Sequence, residues 1–147
     1  MESEQNLERL RHSLAHLLAA AVKELLPKAK PTIGPAVADG FYYDFANLHI
    51  SETDLPKLEH KMRELLPHWT TFTHKTVTAE KARETFKYNP FKLELIDEIV
   101  GRGEKLNLYT CGNFTDLCRG GHVDHPAKEI NADVFKLSTL AGAYWRG

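Results

Sequence analysis

Cysteine is scarce: Cys111 and Cys118 are the two thiols in 147 residues. Two cysteines do not make a disulfide framework, so their reactivity or ligating capacity is the better question. Long apolar runs are lacking too. Hydrophobic residues make up 42% of the chain, yet no run approaches the ~18 apolar residues that would suggest a membrane span. Nor is there an excess of one charge: 19 Lys and Arg stand against 20 Asp and Glu, a net charge of −1. Neutralising a phosphate backbone requires a surplus or a clustered stripe of basic side chains. The basic residues here are scattered, as Lys23, Lys28 and Lys30, then Lys87 and Lys92, then Arg102 and Lys105. If RNA is the substrate, this chain alone holds it weakly and most of the grip comes from elsewhere. The opening MESEQNLERL is acidic and polar, without the basic flank and apolar stretch of a secretory signal. The cytoplasm is the expected compartment. With no repeat, low-complexity tract or linker, residues 1–147 read as one domain, long enough for a real core.

Periodicity then organises the chain. Leu7, Leu10, Leu14, Leu17, Leu18, Ala21 and Leu25 recur at the spacing that lines one helical face, which predicts a helix from about Asn6 to Leu26, stopped by Pro27. TIGPAVADGFYYDF reads as two short strands joined by a turn around Asp39-Gly40. A second helix is expected from Thr53 to Leu66, and a threonine-rich strand from Thr70 to Val77. Thr78 starts a short helix, Pro90 starts another that ends before Gly101, and the chain then turns β-rich. Strands are expected at Leu106 to Cys111, Phe114 to Leu117, and once or twice within Ala132 to Trp145. This irregular interspersion favours an α+β two-layer domain with a mainly antiparallel sheet over a doubly wound one.

Two pairs of residues carry the chemistry. His12 and His16 sit one helical turn apart and can converge on a single atom or water. They point almost opposite the leucine stripe, on a face that also holds Ala15 and Ala19, small enough for another element or a ligand to approach. A solvated outer face is the bland alternative. Cys118-Arg-Gly-Gly-His122 puts a thiol and an imidazole four apart, with Gly120 and Gly121 able to bend the loop and admit a substrate. Either pair alone is a weak signal. Together His12, His16, Cys118 and His122 form a chemically complete zinc set, which would have to assemble through the fold.

HSLAH, IGPAVADGFYYDF, DLCRGGHV and KLSTLAGAYWRG, in that order, resemble the editing domain of threonyl-tRNA synthetases. That domain is shared, more distantly, by alanyl-tRNA synthetases and stand-alone editing relatives. The resemblance runs from about Leu10 to Gly147. It departs at one point, where many bacterial members read C-R-G-P-H and this chain has Gly121, leaving the loop less stiff but the spacing intact. Nothing resembles the class II synthetase core, an anticodon-binding domain or the small N-terminal ubiquitin-like domain. The expectation is an excised synthetase domain rather than a free-standing protein.

The resemblance implies hydrolysis of the ester between a wrong amino acid, serine, and the 3′ end of threonine tRNA. It assigns His12, His16, Cys118 and His122 to orienting and deprotonating a water. Lys92 matches a functional lysine, though on composition alone it is an ordinary surface lysine. Asp116 matches an aspartate that holds the substrate's amino group or side chain; otherwise it is a partner backing a histidine. Tyr43 matches a pocket tyrosine, or else packs in the sheet with Phe41, Tyr42 and Phe45. Gly120 and Gly121 complete the substrate-binding set. Alanyl relatives hold zinc with this ligand set, whereas threonyl members work without a bound metal, so zinc is possible and no cofactor is expected to be required. The partners implied are tRNA and the remaining synthetase domains. Two other readings compete: a deacylase for mischarged alanine tRNA, and a zinc-stabilised module that positions tRNA without chemistry.

Overall fold

A computed structural model describes residues 2–32, 36–37, 40–41, 43–46, 48, 50–118, 120–133 and 135–137. The first helix, α1, spans Glu2–Leu25 and begins earlier than its leucine pattern does. Four two-residue strands follow: β1 (Lys30–Pro31), β2 (Ala36–Val37), β3 (Gly40–Phe41) and β4 (Phe45–Ala46). β1 pairs with β4 and β2 with β3, both antiparallel. Next comes α2 (Leu55–Leu65), flanked by single 3-10 turns at Glu52–Asp54 and Leu66–His68. β5 (Thr73–Val77), α3 (Ala79–Thr85), α4 (Pro90–Gly101), β6 (Leu106–Cys111), β7 (Phe114–Leu117) and the short α5 (Pro126–Glu129) complete the order. The α+β reading with antiparallel pairing holds throughout. The expected strands after Ala132 do not occur in the described part of that stretch, and AGAYWRG lies outside the described residues, as does Tyr42.

Local chemistry sets the helix starts. The Thr78 hydroxyl accepts the Lys81 N–H to cap α3, while Asn89 accepts from the Phe91 and Lys92 N–H groups ahead of α4. Such caps satisfy donors that have no partner within the helix, and Pro90 costs nothing at the first helical position, where its missing N–H has none to serve.

β5, β6 and β7 form one antiparallel sheet in that order. Because successive side chains alternate across a sheet, its two faces have opposite fates. Leu106, Leu108 and Leu117 turn to α3 and α4, packing with Ala82 and Ile96 in a small core. The other face carries Cys111 and Phe114 into the main core around α1 and α2, with Trp69 and Met62. Register fixes what lies along that face: Tyr109 pairs with both His74 and Asp116. One cross-strand row therefore runs His74, Tyr109, Asp116.

α1 departs from a simple amphipathic helix. Every residue from Ser13 to Val22 is buried, and Ala15 and Ala19 are fully so. The face opposite the leucines is thus not solvated, and at Ala15 and Ala19 other parts of the chain lie close, as their small side chains allow. Around His16 it is closed by Phe72, Phe114, His122 and Asp116, and His12, one turn earlier, is half-buried.

Candidate functional site

The four expected ligand-type residues meet. His12 Nε2 and His16 Nε2 lie 3.1 Å apart, and Cys118 Sγ is 3.2 Å from His122 Nε2. One donor atom from each of the four lies within 4.8 Å of the others. The rings pack directly: His12 stacks on His122 at 4.4 Å, and His16 tilts against His122 at 4.8 Å. Gly121 is exposed while His12 and Cys118 are half-buried, so the cluster opens between the middle of α1 and the cysteine loop.

A second layer lies beneath. Lys92 reaches down from the first turn of α4 and is 3% exposed, which removes the surface-lysine reading. Its ammonium lies 2.7 Å from Asp116 Oδ1 and donates to the Thr32 carbonyl at 2.7 Å and the Tyr43 hydroxyl at 3.0 Å. Three partners match the three donors of an ammonium. Tyr43 in turn donates to Asp116 Oδ2 at 2.5 Å, and the Leu117 N–H donates to Oδ1 at 2.8 Å. His16 Nδ1 approaches the same Oδ2 at 3.1 Å, within ion-pair reach. That approach is off the line of a hydrogen bond, and Nδ1 has no other partner among the described residues. Asp116 is thus the hub through which α4, the β3–β4 connection and α1 meet.

Electrostatics follow from this arrangement. Burial lowers His12 to about 4, helped by neighbouring His16, and lowers His122 to about 3 with His16 and His12 both contributing. Burial pushes the Cys118 thiol up to about 12. Burial alone would raise Asp116, but the Lys92 charge and His16 overcome it and hold the carboxylate well below its usual range. Burial and then Asp116 push the Tyr43 phenol well above its ordinary value. At neutral pH, then, His12, His122 and Cys118 are uncharged around a fixed Asp116–Lys92 ion pair.

Glycine shapes the loop between Cys118 and His122. Gly120 and Gly121 have φ of +94° and +89°, a region that side chains rarely adopt. A Cβ on Gly120 would sit 2.6 Å from the Tyr109 hydroxyl, so contact with β6 also requires glycine there. A proline at position 121 could not take this φ, since its ring holds φ near −65°. The Gly121 departure from C-R-G-P-H therefore goes with a distinct local path of the backbone.

Several residues of the site are absent from the sequence reading. Phe72 stacks on His122 at 4.3 Å and Tyr109 tilts against it at 4.7 Å. Thr32 supplies the buried carbonyl for Lys92. Ser13 accepts the Val123 N–H at 3.0 Å and donates to the Arg9 carbonyl at 2.8 Å, tying α1 to the cysteine loop. The alternation that puts Tyr109 on Asp116's face was available in the sequence, but only with the β6–β7 register in hand.

The donor set fits zinc in kind and roughly in size. Bonds of ~2.0–2.3 Å would place tetrahedral donors about 3.3–3.7 Å apart. The two closest pairs are slightly tighter than that, and the widest separation would have to contract by about 1 Å. Asp116 behind His16 is also the carboxylate partner that metal-bound imidazoles commonly have.

No family model matches the chain. The threonine–tRNA ligase of Borrelia turicatae is 46% identical to it over 148 residues, which cover 100% of this chain and 25% of that protein. The threonine–tRNA ligase of Rubrobacter xylanophilus is 49% identical over 147 residues, covering 99% of this chain and 22% of its own length. The Borreliella burgdorferi ligase is 43% identical across the whole chain. The chain belongs with the threonine–tRNA ligases, homologous from end to end to a segment that spans about a quarter of their length.

Proposed function

We propose that the chain is the editing domain of a threonine–tRNA ligase, a cytoplasmic hydrolase that removes serine from mischarged threonine tRNA. The observation that carries this reading is the convergence of His12, His16, Cys118 and His122 over the buried Asp116–Lys92 pair, in a homologue of an enzyme that must distinguish threonine from serine. The need for a second site is physical. Serine and threonine differ by one methyl, and a pocket gains only ~1–3 kcal/mol from such a group, or roughly 10–200-fold. A site built for threonine cannot exclude the smaller serine, whereas a second site can accept serine and clash with the extra methyl.

In this mechanism the tRNA 3′ end enters beside Gly120 and Gly121, and a water sits among the four donor atoms. An imidazole accepts its proton as the oxygen attacks the ester carbonyl, and returns it to the ribose oxygen as the ester C–O bond breaks, releasing serine and the tRNA 3′ end. His16 is the best-placed base, because Asp116 lies behind Nδ1 and compensates an imidazolium there, while Nε2 faces the cluster. His12 and His122 orient the water, and Cys118, as a neutral thiol, donates weakly to it or to His122. Lys92 holds Asp116 and Tyr43. By giving up the Thr32 carbonyl it turns one N–H toward the developing oxyanion. Asp116 takes the substrate's amine only by exchanging one of its present donors, with Tyr43 bordering the same position. The remaining ligase domains supply most of the affinity for tRNA.

Zinc on His12, His16, Cys118 and His122 would supply a closed structural shell, since four protein ligands leave no position for water. The hydrolytic reading therefore assigns the same residues a metal-free role.

The test is initial rates of deacylation for serine-, threonine- and glycine-charged threonine tRNA by the purified chain. Serine should leave at least about tenfold faster than threonine, because an overpacked methyl costs typically ~1–3 kcal/mol. Glycine, lacking the hydroxyl, should be cleaved less efficiently than serine. Equal rates for serine and threonine would remove the sieve. No hydrolysis, with a chelation-resistant zinc on which folding depends, would favour the tRNA-positioning module. Preference for mischarged alanine tRNA would move the activity to that substrate.

A further inference from the structure

Ser13 lies on a stretch of α1 where every residue to Val22 is buried, and only Ser13 and His16 among them are polar. It is fully buried, at a helical position where alanine would be the better helix former. Its hydroxyl is used in both directions. It donates to the Arg9 carbonyl one turn back at 2.8 Å, which turns its lone pairs toward Val123, whose N–H it accepts at 3.0 Å. The two residues so joined directly follow His12 and His122. Consecutive Cα atoms are about 3.8 Å apart, so this one bond confines the spacing of the two imidazoles.

The loop that carries Cys118 and His122 needs such an anchor. Gly120 and Gly121 give it backbone freedom at its centre, and its fixed points lie at the ends. At one end the Cys118 N–H donates to the Asn107 carbonyl of β6 at 3.3 Å. At the other the Val123 N–H donates to Ser13, and the Asp124 carbonyl accepts the Phe72 N–H at 3.1 Å. Of these three bonds, that to Ser13 alone reaches α1. The His122 ring then stacks on Phe72 at 4.3 Å and on His12 at 4.4 Å.

We propose that Ser13 is a positioning residue for the hydrolysis, its hydroxyl holding His122 in register with His12 and His16 so that both motif pairs share one water. The inference rests on the editing reading. Ser13, fully buried, does not reach the substrate; it acts through Val123 on where the His122 ring sits. A displacement of about 1 Å in a catalytic constellation can cost roughly 10²-fold in rate. The loss falls on kcat rather than KM, because no group that contacts the substrate is removed.

The experiment compares two matched pairs at position 13 of the whole chain. Ser13→Ala against the parent removes the hydroxyl outright. Ser13→Val against Ser13→Thr removes it at constant shape, whatever the added carbon costs in packing. Each loss of the hydroxyl should lower kcat for serine-charged tRNA by about tenfold or more, with KM within about twofold. Proton NMR of the His122 ring, whose signals the stacked Phe72 and His12 rings displace, supplies a readout independent of activity. Those signals should move in Ser13→Ala and Ser13→Val and stay near the parent's in Ser13→Thr. Melting curves establish that each protein is folded at the assay temperature; if the threonine and valine variants are not, Ser13→Ala decides alone. Parent-like kcat in Ser13→Ala, or a loss that tracks only the unfolded fraction with His122 signals unmoved, would overturn the positioning role while leaving hydrolysis standing. Displaced His122 signals, in a chain whose parent form hydrolyses no serine ester, would uphold the tie and overturn the editing reading.

Discussion

The Asp116–Lys92 pair is the part of the site whose energetics follow most directly from its geometry. Both residues are 3% exposed, and each satisfies the other at 2.7 Å. Replacing Asp116 with asparagine keeps the shape and an acceptor for the Leu117 N–H but removes the charge, stranding a buried ammonium. Breaking a buried pair from one side costs about 3–5 kcal/mol, a large share of the ~5–15 kcal/mol that holds an ordinary domain together. For a chain of this size that corresponds to a fall in melting temperature of roughly 6–20 °C. Lys92→Met should cost a similar amount by stranding the carboxylate instead. The double variant removes both charges, so its loss should be much smaller than the sum, with a coupling of about 2 kcal/mol or more. Urea denaturation of the four proteins at pH 7 measures this cycle. Additive losses, or a single-variant cost below about 1 kcal/mol, would refute the argument that the pair is desolvated and mutually dependent.

Three further outcomes are expected. His12→Ala should leave the fold nearly intact and cut deacylation by on the order of 10²-fold, the usual range for a lost acid–base group; His16→Ala should cut activity as much and also lose stability, since His16 is 2% exposed beside Asp116. Circular dichroism melts beside single-turnover rates separate the two effects, and full activity in either variant would remove that histidine from the mechanism. On acidification, stability contributed by His12 and His122 should be complete above about 6.5 and decline as pH falls through about 4 and about 3, because the unfolded chain takes up protons first. Asp116 adds to this loss below its unfolded value of 3.8. Urea midpoints between pH 7 and 4 check the window, and a flat profile would contradict neutral imidazoles in the fold. Gly120→Ala should lower stability by roughly 1–3 kcal/mol through backbone strain and contact with Tyr109; an unchanged melting temperature would show that the loop yields freely.

Helix α1, the α4 start at Pro90 and the β6–β7 hairpin were legible because spacing, caps and alternation act over a few residues. The two motif pairs were legible as chemistry for the same reason. Sequence reading fell short where burial depends on distant chain. A solvated face of α1 opposite the leucines stays open as an alternative in the sequence, because the residues that bury His16, which are Phe72, Phe114, His122 and Asp116, lie far along the chain. On composition alone Lys92 is a surface lysine, and only the family resemblance marks it as functional, because its three acceptors come from three other parts of the chain. Phe72, Tyr109 and Thr32 carry no motif of their own; strand register and packing bring them to the site.

The turn between β6 and β7 has no chemistry, yet the chemistry hangs on its length. Gly112 and Asn113 join Cys111 directly to its partner Phe114, and Gly112 takes a φ of +57° with Trp69 close against it. Counting forward from that hinge puts Asp116 toward His16 and Leu117 toward α4. A hairpin slipped by one residue would reverse every side chain of β7, sending a leucine to the site and a carboxylate into the small core. Evolution of this site is consequently constrained from outside it. Amino-acid changes at the mouth can retune the substrate one residue at a time, whereas one residue gained or lost in this remote turn would exchange the inside of the strand for its outside.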